Sequence, residues 1–336
     1  IGNSTTPFSD FINGDISKVN IYNIALSDTE VNQIFTNESS MFSNSCISSS
    51  SSSSSGSSST STSSSSGGSS TSSSSGCTSG QILCSGSCVT GNCCTTPDCS
   101  SGQSCSNNLC GCTSGQILCS GSCVTGCCTD VQCLNGQLCT SNICTNPPVL
   151  FFNATNIDGA SNFADNTDTN TSWTDLSTQG NNGLLSSFSL PSDAFSGWAG
   201  DNTSCNPSRL KFDGANDFVD AGMSASLDLS GNATIELWTR VNSFTDNKYL
   251  VSDFDASGSM SQGSLRYRTN GGNHFSYYQT DSGATIIEGT TTVNPNTWYH
   301  VAFVRDDAAK TVKLYVNGIE DGSATYFGDI TPQSQA

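Results

Sequence analysis

The chain has 336 residues with 28 acidic and only ten basic side chains, which gives a formal net charge of −18. Because the sequence contains no cluster of lysine or arginine, it argues against nucleic acid and anionic membrane surfaces as partners. No apolar run approaches the length of a membrane span, so no membrane-spanning segment is predicted.

Residues 1–46 carry a strand and then a helix. The sequence INGDISKVNIYN predicts a strand over 15–23, and the capping-box spacing of Ser27 and Glu30 predicts a helix over 27–35. Val19 and Ile21 are expected to face a core, so Ile16 requires a bulge or a second apolar surface. Two such elements cannot bury a core alone and must pack on another sheet. We expect this packing surface to be a subunit interface. Its residues are Ile16, Val19, Ile21, Tyr22, Leu26, Val31, Ile34 and Phe35.

Residues 47–76 are almost entirely serine, with threonine and glycine. Such a composition cannot form a core and predicts a linker. The linker is either a flexible disordered spacer or a tract of dense O-glycans that stiffen and extend the chain. In a secreted protein we favour the glycosylated alternative.

Residues 77–110 and 111–146 hold two copies of one cysteine-rich unit, each beginning CTSGQILCSGSCVTG. A unit of this size is too small for apolar burial alone, and eight cysteines per copy predict four disulfides in each, of undetermined connectivity. Zinc is disfavoured because the copies lack histidine. The copies weakly resemble short EGF-like modules. The cysteines are Cys77, Cys84, Cys88, Cys93, Cys94, Cys99, Cys105 and Cys110, then Cys112, Cys119, Cys123, Cys127, Cys128, Cys133, Cys139 and Cys144.

Residues 147–336 show repeated period-2 strands separated by glycine, asparagine and aspartate. This pattern, without helical periodicity, predicts an all-β sandwich. Asn317-Gly318 predicts a tight hairpin turn. The clearest strands are PVLFFN, SRLKFDG, ATIELWTRV, KYLVSDF, SLRYRT, HFSYYQ, WYHVAFVRD and TVKLYVNG.

Five stretches of this region occur in an ordered series: WTDLSTQGNNG, LKFDGANDFVDAG, ATIELWTRV, NTWYHVAFVRD and KLYVNG. They resemble the successive motifs of laminin-G-like, concanavalin-A-like jelly-roll domains. The resemblance implies a mostly β fold, with a jelly-roll β-sandwich whose body is 147–336. It also implies closing strands and a helix after the hairpin. Those closing elements resemble IGN, FINGDISKVNIYN and ALSDTEVNQIF, which stand instead within residues 1–46.

The resemblance therefore assigns residues 1–46 as the terminal strands of a sandwich. They can be donated to a neighbouring copy, can close their own chain's sandwich, or can belong to a covalently continuous array of which this chain is one period. A cross-linked, serine-rich spacer suits a span between beads better than a fold-back. The sequence thus predicts a structural subunit of an extracellular, glycosylated filament, a head-to-tail homopolymer of this chain. The alternative is a secreted, monomeric, lectin-like adhesion protein with an intrachain-closed sandwich.

The cysteines and six N-glycosylation sequons predict an extracellular location, for a processed chain or an excerpt of a longer one. The resemblance places Cys46 and Cys205 near each other and implies a disulfide between them; otherwise they are free or bonded to another chain. The sequons are at Asn3, Asn37, Asn153, Asn170, Asn202 and Asn232.

Catalytic chemistry is not predicted. The paired carboxylates that glucanases of this fold use are missing, Glu236 stands alone on its strand, and neither His274 nor His300 accompanies a nucleophile motif. No cofactor is expected beyond covalent N- and O-glycans.

Two weaker hypotheses concern loops and aromatic residues. Asp213 and Asp217 could bind calcium, although a simple turn explains them better. Trp198 or the pair Tyr277 and Tyr278 could stack on glycan ligands, although burial in the core is the commoner role of such rings.

Overall fold

The computed structural model describes residues 11–42 and 147–330, except 245–247, 253–261, 270–271 and 281–282, together with eight short strands in the cysteine-rich repeats. The chain forms two compact units, residues 1–46 with 147–336 and residues 47–146. Below, residues 11–42 are the segment, residues 43–146 the spacer and residues 147–330 the body.

The segment contains strand β1 (Asn13–Tyr22) and helix α1 (Asp28–Glu38). A 3₁₀ turn, Ser39–Met41, follows the helix. Ser27 is the N-cap of α1: its side chain accepts from the backbone of Glu30, whose carboxylate accepts from the backbone of Ser27. The predicted capping box is therefore present, and the helix runs beyond the predicted end at Phe35.

The cysteine-rich repeats contain four antiparallel strand pairs, at matching places in the two copies. The predicted disulfides of these repeats lie outside the described residues. The strands are β2 (Gln81–Cys84), β3 (Ser87–Thr90), β4 (Gln103–Ser106), β5 (Leu109–Cys112), β6 (Ile117–Cys119), β7 (Ser122–Val124), β8 (Leu138–Thr140) and β9 (Ile143–Thr145).

The body contributes the remaining strands of the sandwich. Every one of the strands predicted for the body is present. In chain order they are β10 (Leu150–Asn153), β11 (Ser172–Trp173), β12 (Gly183–Ser186), β13 (Gly197–Ala199), β14 (Arg209–Asp213), β15 (Phe218–Asp220), β16 (Ala233–Val241), β17 (Lys248–Val251), β18 (Ser264–Arg268), β19 (His274–Thr280), β20 (Ala284–Glu288), β21 (Trp298–Asp306), β22 (Thr311–Val316) and β23 (Ile319–Thr325).

Segment and body strands together form three described sheets. The large sheet has the order β13-β14-β1-β16-β21-β22-β23, with β10 also paired to β1. Two smaller sheets, β11-β12-β15 and β17-β18-β19-β20, complete the sandwich. The core contains Leu237 and Phe303 of the large sheet and Leu265 and Tyr277 of the β17-β18-β19-β20 sheet, all with 0% exposure. The prediction of a mostly β jelly-roll sandwich is confirmed.

The β22–β23 hairpin shows why the local sequence folds as it does. Asn317 and Gly318 have φ values of 52° and 74°, the left-handed conformations that a tight hairpin with these two residues requires. Across β21 and β22, Val301 lies opposite Val316 and Phe303 opposite Leu314, so alternate apolar residues fill the core from both strands.

Candidate functional site

The place where the segment enters the body is the most distinctive site of the molecule. On one side β1 pairs first with β14 and then with β10; on the other side it pairs with β16 along its whole length. All three pairings are antiparallel. Because β1 lies in the middle of the large sheet, its removal would leave hydrogen-bonding groups unpaired on both sides.

A bulge at Ser17 sets which side chains of β1 face the core. The register with β16 shifts between Ile16 and Lys18, and the Ser17 hydroxyl donates to the Ser208 carbonyl at 2.6 Å. The shift places Ile16 on the same face as Val19 and Ile21, and all three are at most 4% exposed. Of the two solutions expected from the sequence, the structure uses the bulge.

Helix α1 packs on the outer face of the large sheet, against β16, β21 and β22. One apolar cluster there joins the segment to β21 and β22, and Ile24, Ala25 and Ile34 pack against it. Its buried members are Tyr22, Leu26, Val31, Ala302, Val304 and Tyr315.

A second cluster on this face is aromatic. Phe42 stacks on Trp238 with ring centroids 4.1 Å apart and also contacts Trp298 at 5.1 Å. Phe35 stacks on the same Trp238 at 5.8 Å. The segment is thus anchored at both ends of its helix.

Two carboxylates of the segment pair with cations of the body. Asp15 is 1% exposed and lies 2.8 Å from Arg240 Nη2 and 3.3 Å from Arg209 Nε. Near the start of α1, Asp28 accepts from Lys313 Nζ at 2.9 Å and from the Tyr315 hydroxyl at 2.6 Å. These two contacts lower the pKa of Asp28.

Beneath the end of α1 lies a buried polar cluster formed by Lys18, Asn20, Glu38, Glu236 and His300. His300 Nε2 lies 2.9 Å from Glu236 Oε2, and both side chains are at most 1% exposed. Asn20 donates to the other oxygen of Glu236, and Lys18 is paired with Glu38. Glu38 also accepts from Trp238 Nε1 at 2.8 Å. His300 Nδ1 has no hydrogen-bond partner among the described residues.

The charges of this cluster depend on one another. Burial alone would raise the pKa of Glu236, but the charge of Lys18 and the contacts with His300 and Asn20 outweigh it, and the net effect is a lowered pKa. Burial alone would lower the pKa of Lys18, yet Glu38 and Glu236 raise it. Both groups therefore keep their charges in the closed sandwich at neutral pH.

All of the predicted interface residues lie in these contacts, but they contact the body of their own chain. The sequence favours a body from a neighbouring copy, whereas the structure closes the sandwich within one chain. Among the contributors that sequence reasoning missed are the polar residues Asp15, Lys18, Asn20, Asp28 and Glu38, and the aromatic residue Phe42. Phe42 was detectable as an aromatic residue shortly after a helix, whereas the polar residues looked like solvent-facing positions.

The sequons occupy different environments. Asn37, Asn202 and Asn232 are exposed, whereas Asn153 and Asn170 are partly buried. Asn232 accepts from the backbone of Asp307 at 2.8 Å. Asn3 lies outside the described residues.

The calcium candidates form a turn. Asp213 accepts from the backbone of Ala215 at 2.7 Å, and Asp217, which is 2% exposed, accepts from the backbone of Asp213 at 3.0 Å. Burial raises the pKa of Asp217 to about 6. No group of three or more potential metal ligands occurs among the described residues.

The aromatic candidates for glycan stacking are mostly core residues. Trp198 and Tyr277 are 0% exposed, which contradicts a stacking role for either. Tyr278 is half-buried with Arg266 4.9 Å over its ring.

Cys205 is disulfide-bonded. Its partner, and with it the predicted bond to Cys46, lies outside the described residues. In the part of the chain that the structure describes, no helix has the length and apolarity to cross a membrane.

Comparison with known proteins gives one match. Residues 213–336 match a laminin G family model described as the concanavalin A-like lectin/glucanases superfamily. Neither a curated protein nor a solved structure matched the chain. Domains of this kind are commonly extracellular and typically non-catalytic. Residues 213–336 of the sandwich are therefore laminin-G-like, as the sequence motifs indicated.

Proposed function

We propose that this protein is a structural subunit of an extracellular, glycosylated filament, in which the segment of one copy completes the body of the next. The proposal makes the segment a donor strand and the groove between β14, β10 and β16 its acceptor. It assigns the protein no catalytic role.

The observation that carries the proposal is the central position of β1. A central strand contributes hydrogen bonds on both sides and apolar side chains to the core, so an acceptor body without one is unstable. The segment contacts described above are made by residues 11–42 themselves. A segment from another copy can therefore make the same contacts.

The balance between closure within one chain and exchange between copies depends on the spacer. A short flexible tether keeps its ends at an effective concentration in the millimolar range, which favours closure within one chain. A stiff or extended tether lowers that concentration and favours a neighbour. Dense O-glycans on residues 47–76 and disulfides in residues 77–146 would act in this direction.

Exchange of this kind is heterologous, because each copy donates at one surface and accepts at another. Repeated without ring closure, such a contact produces a filament of sandwiches connected by spacers. The charge pairs of Asp15 and Asp28 with cations of the body would fix the register of each donated segment.

Co-expression of two full-length chains with different affinity tags, in a secretory host that adds glycans, tests the proposal. We expect material that is retained on both affinity columns and forms beaded filaments in electron micrographs. Chains expressed separately and mixed after folding should not combine, because exchange requires β1 to leave the sheet. Co-expressed chains that carry one tag each and remain monomeric would overturn the proposal.

A variant pair sharpens this test. Ile21→Asp places a charge on the core face of β1 and should abolish assembly. Ile319→Asp, at a site that is 69% exposed, is the matched control and should assemble normally. If both variants form filaments, the assembly does not use the segment.

The second candidate function is a monomeric, lectin-like adhesion protein. It is favoured by one specific observation, the closure of the sandwich by the chain's own segment. Tyr278 is the remaining aromatic candidate for a glycan contact, and binding of labelled glycans to a Tyr278→Ala variant would test it.

A further inference from the structure

Three buried or half-buried carboxylates lie among the described contacts between the segment and the body. Asp15, Glu38 and Glu236 are each paired with a cation or a buried polar group on the outer face of the large sheet. Strands inside a sandwich are usually held by apolar contacts, and here the inner face of β1 already supplies them. The charged contacts can therefore serve a function other than keeping β1 in the sheet.

Glu236 is the centre of these contacts. The charged and titratable groups around it are Lys18 and Tyr22 from β1, Glu38 from α1 and His300 from β21. Most of this set belongs to the segment. The enclosure of Glu236 therefore exists only while the segment is in place.

The charge balance of this enclosure depends on Glu236. At neutral pH the anions Glu38 and Glu236 face the cation Lys18, and Asn20 and His300 contact Glu236. Protonation of Glu236 removes the buried anion at the centre of these contacts and leaves Lys18 with Glu38 as its one anion in the cluster. Because the loss of one partner from a buried charge network is costly, this protonation disfavours the closed arrangement.

We propose that Glu236 and the polar cluster around it form an acid-sensitive latch, whose protonation releases the segment while the body's own strands remain paired. The inference goes beyond the proposed filament, because it concerns the contact of segment with body whichever copy supplies the segment. In a filament, the same latch would make assembly reversible by acid.

The sign of the pH dependence follows from the lowered pKa of Glu236. Such a group stabilises the closed state fully above its unfolded value of 4.5, and this stabilisation is lost as the pH falls through the lower value of the folded state. Asp28, whose pKa is also lowered, acts in the same direction. The body contains an opposite case in Asp217, whose raised pKa makes acid favourable for its own loop.

Hydrogen exchange of the full-length protein at pH 7 and pH 3.5, corrected for intrinsic rates, tests the latch. We expect the amides of β1 and α1 to lose protection at least tenfold more than those of β21 and β22 on acidification. Equal loss in all four elements would overturn the inference, because it would report global acid unfolding. The result does not depend on oligomeric state, so failure of the filament proposal leaves the test intact.

Glu236→Gln is the decisive variant, because an amide can still accept from Asn20 but does not titrate. We expect it to reduce the selective loss of protection in β1 and α1 at least threefold. Glu288→Gln, which removes a carboxylate paired with Arg268 within the body, is the matched control and should behave like the parent chain. If Glu236→Gln fails to fold, Glu38→Gln serves the same purpose. Variants with unchanged acid response would contradict the assignment of the latch to this cluster.

Discussion

The two faces of β1 differ in chemistry although they belong to one strand. The inner face carries Ile16, Val19 and Ile21 into the common core, where contacts are apolar and non-directional. The outer face carries Asp15, Lys18 and Asn20 into pairs with named partners of the body and of α1. Apolar contacts tolerate any segment of suitable pattern, whereas the polar pairs require one register.

This difference separates the strength of the contact from its specificity. Burial of apolar area supplies most of the free energy of closure. Buried ion pairs add little net stability compared with apolar packing, but a mismatch at such a pair is costly. The apolar contacts of the inner face therefore stabilise the bound segment, and the polar pairs of the outer face determine its register.

The inner face should give the largest mutational effect. Ile21→Ala removes a core side chain that is 3% exposed and should lower the free energy of unfolding by about 2–4 kcal/mol. Urea denaturation followed by tryptophan fluorescence measures this change. Ile319→Ala, the exposed counterpart, should change it by less than about 0.5 kcal/mol. Equal effects of the two substitutions would contradict the placement of Ile21 in the core.

Asp217 is a buried carboxylate with no cation partner among the described residues, whereas Asp15 is paired with two arginines. The pKa of Asp217 is raised to about 6, so ionisation costs stability as the pH rises from 4 towards 7. Asp217→Asn should therefore stabilise the fold by about 2–3 kcal/mol at pH 8 and by almost nothing at pH 3.5. Thermal denaturation in EDTA at both pH values gives the comparison. A calcium-dependent stabilisation of the parent chain, absent from the variant, would instead support the calcium hypothesis.

The outer face should respond to removal of one charge. Asp15→Asn removes the buried anion that Arg209 and Arg240 share and should lower the free energy of unfolding by about 2 kcal/mol. A double-mutant cycle with Arg240→Gln measures the coupling. Asp307→Asn, which affects a more exposed pair with Lys310, should cost less than about 1 kcal/mol. A negligible coupling between residues 15 and 240 would show that this pair does not select the register.

The smallest expected effect concerns the cap of α1. Ser27→Ala removes the acceptor of the Glu30 backbone amide and should cost about 1 kcal/mol. Denaturant titration monitors it, with the exposed Ser40→Ala as control. If the loss is much larger, α1 contributes to closure through more than its packing.

The sequence predicts the apolar half of this site well. The parity of Ile16 and Val19 demanded a bulge or a second surface, and the bulge at Ser17 supplies the answer. The capping box of Ser27 and Glu30 fixed the start of α1. In such cases the periodicity of side chains along a strand or helix carries the information.

The polar contacts between the segment and the body could not be predicted from the sequence. Glu236 and His300 look solvent-facing on their strands, since nothing in the local pattern indicates that α1 covers that face. Short strands such as β11 and β13 also escaped, because two or three residues show no period. A segment that closes its own chain and one donated to a neighbouring copy would have the same sequence pattern, so the pattern alone does not distinguish the two arrangements.

Lys18 determines how susceptible the first part of the chain is to proteases that cut after basic residues. Between this residue and Arg209 the chain has no lysine or arginine, so enzymes that cut after basic residues have one potential site in the first 208 residues. The side chain of Lys18 is only 15% exposed in its pair with Glu38, and its backbone is hydrogen-bonded within the sheet. Cleavage by trypsin at this position therefore requires the segment to leave the sandwich. Trypsin therefore has no cleavage site in the spacer, because the spacer contains no lysine or arginine. Its one site in the segment is protected while the segment stays in the sheet.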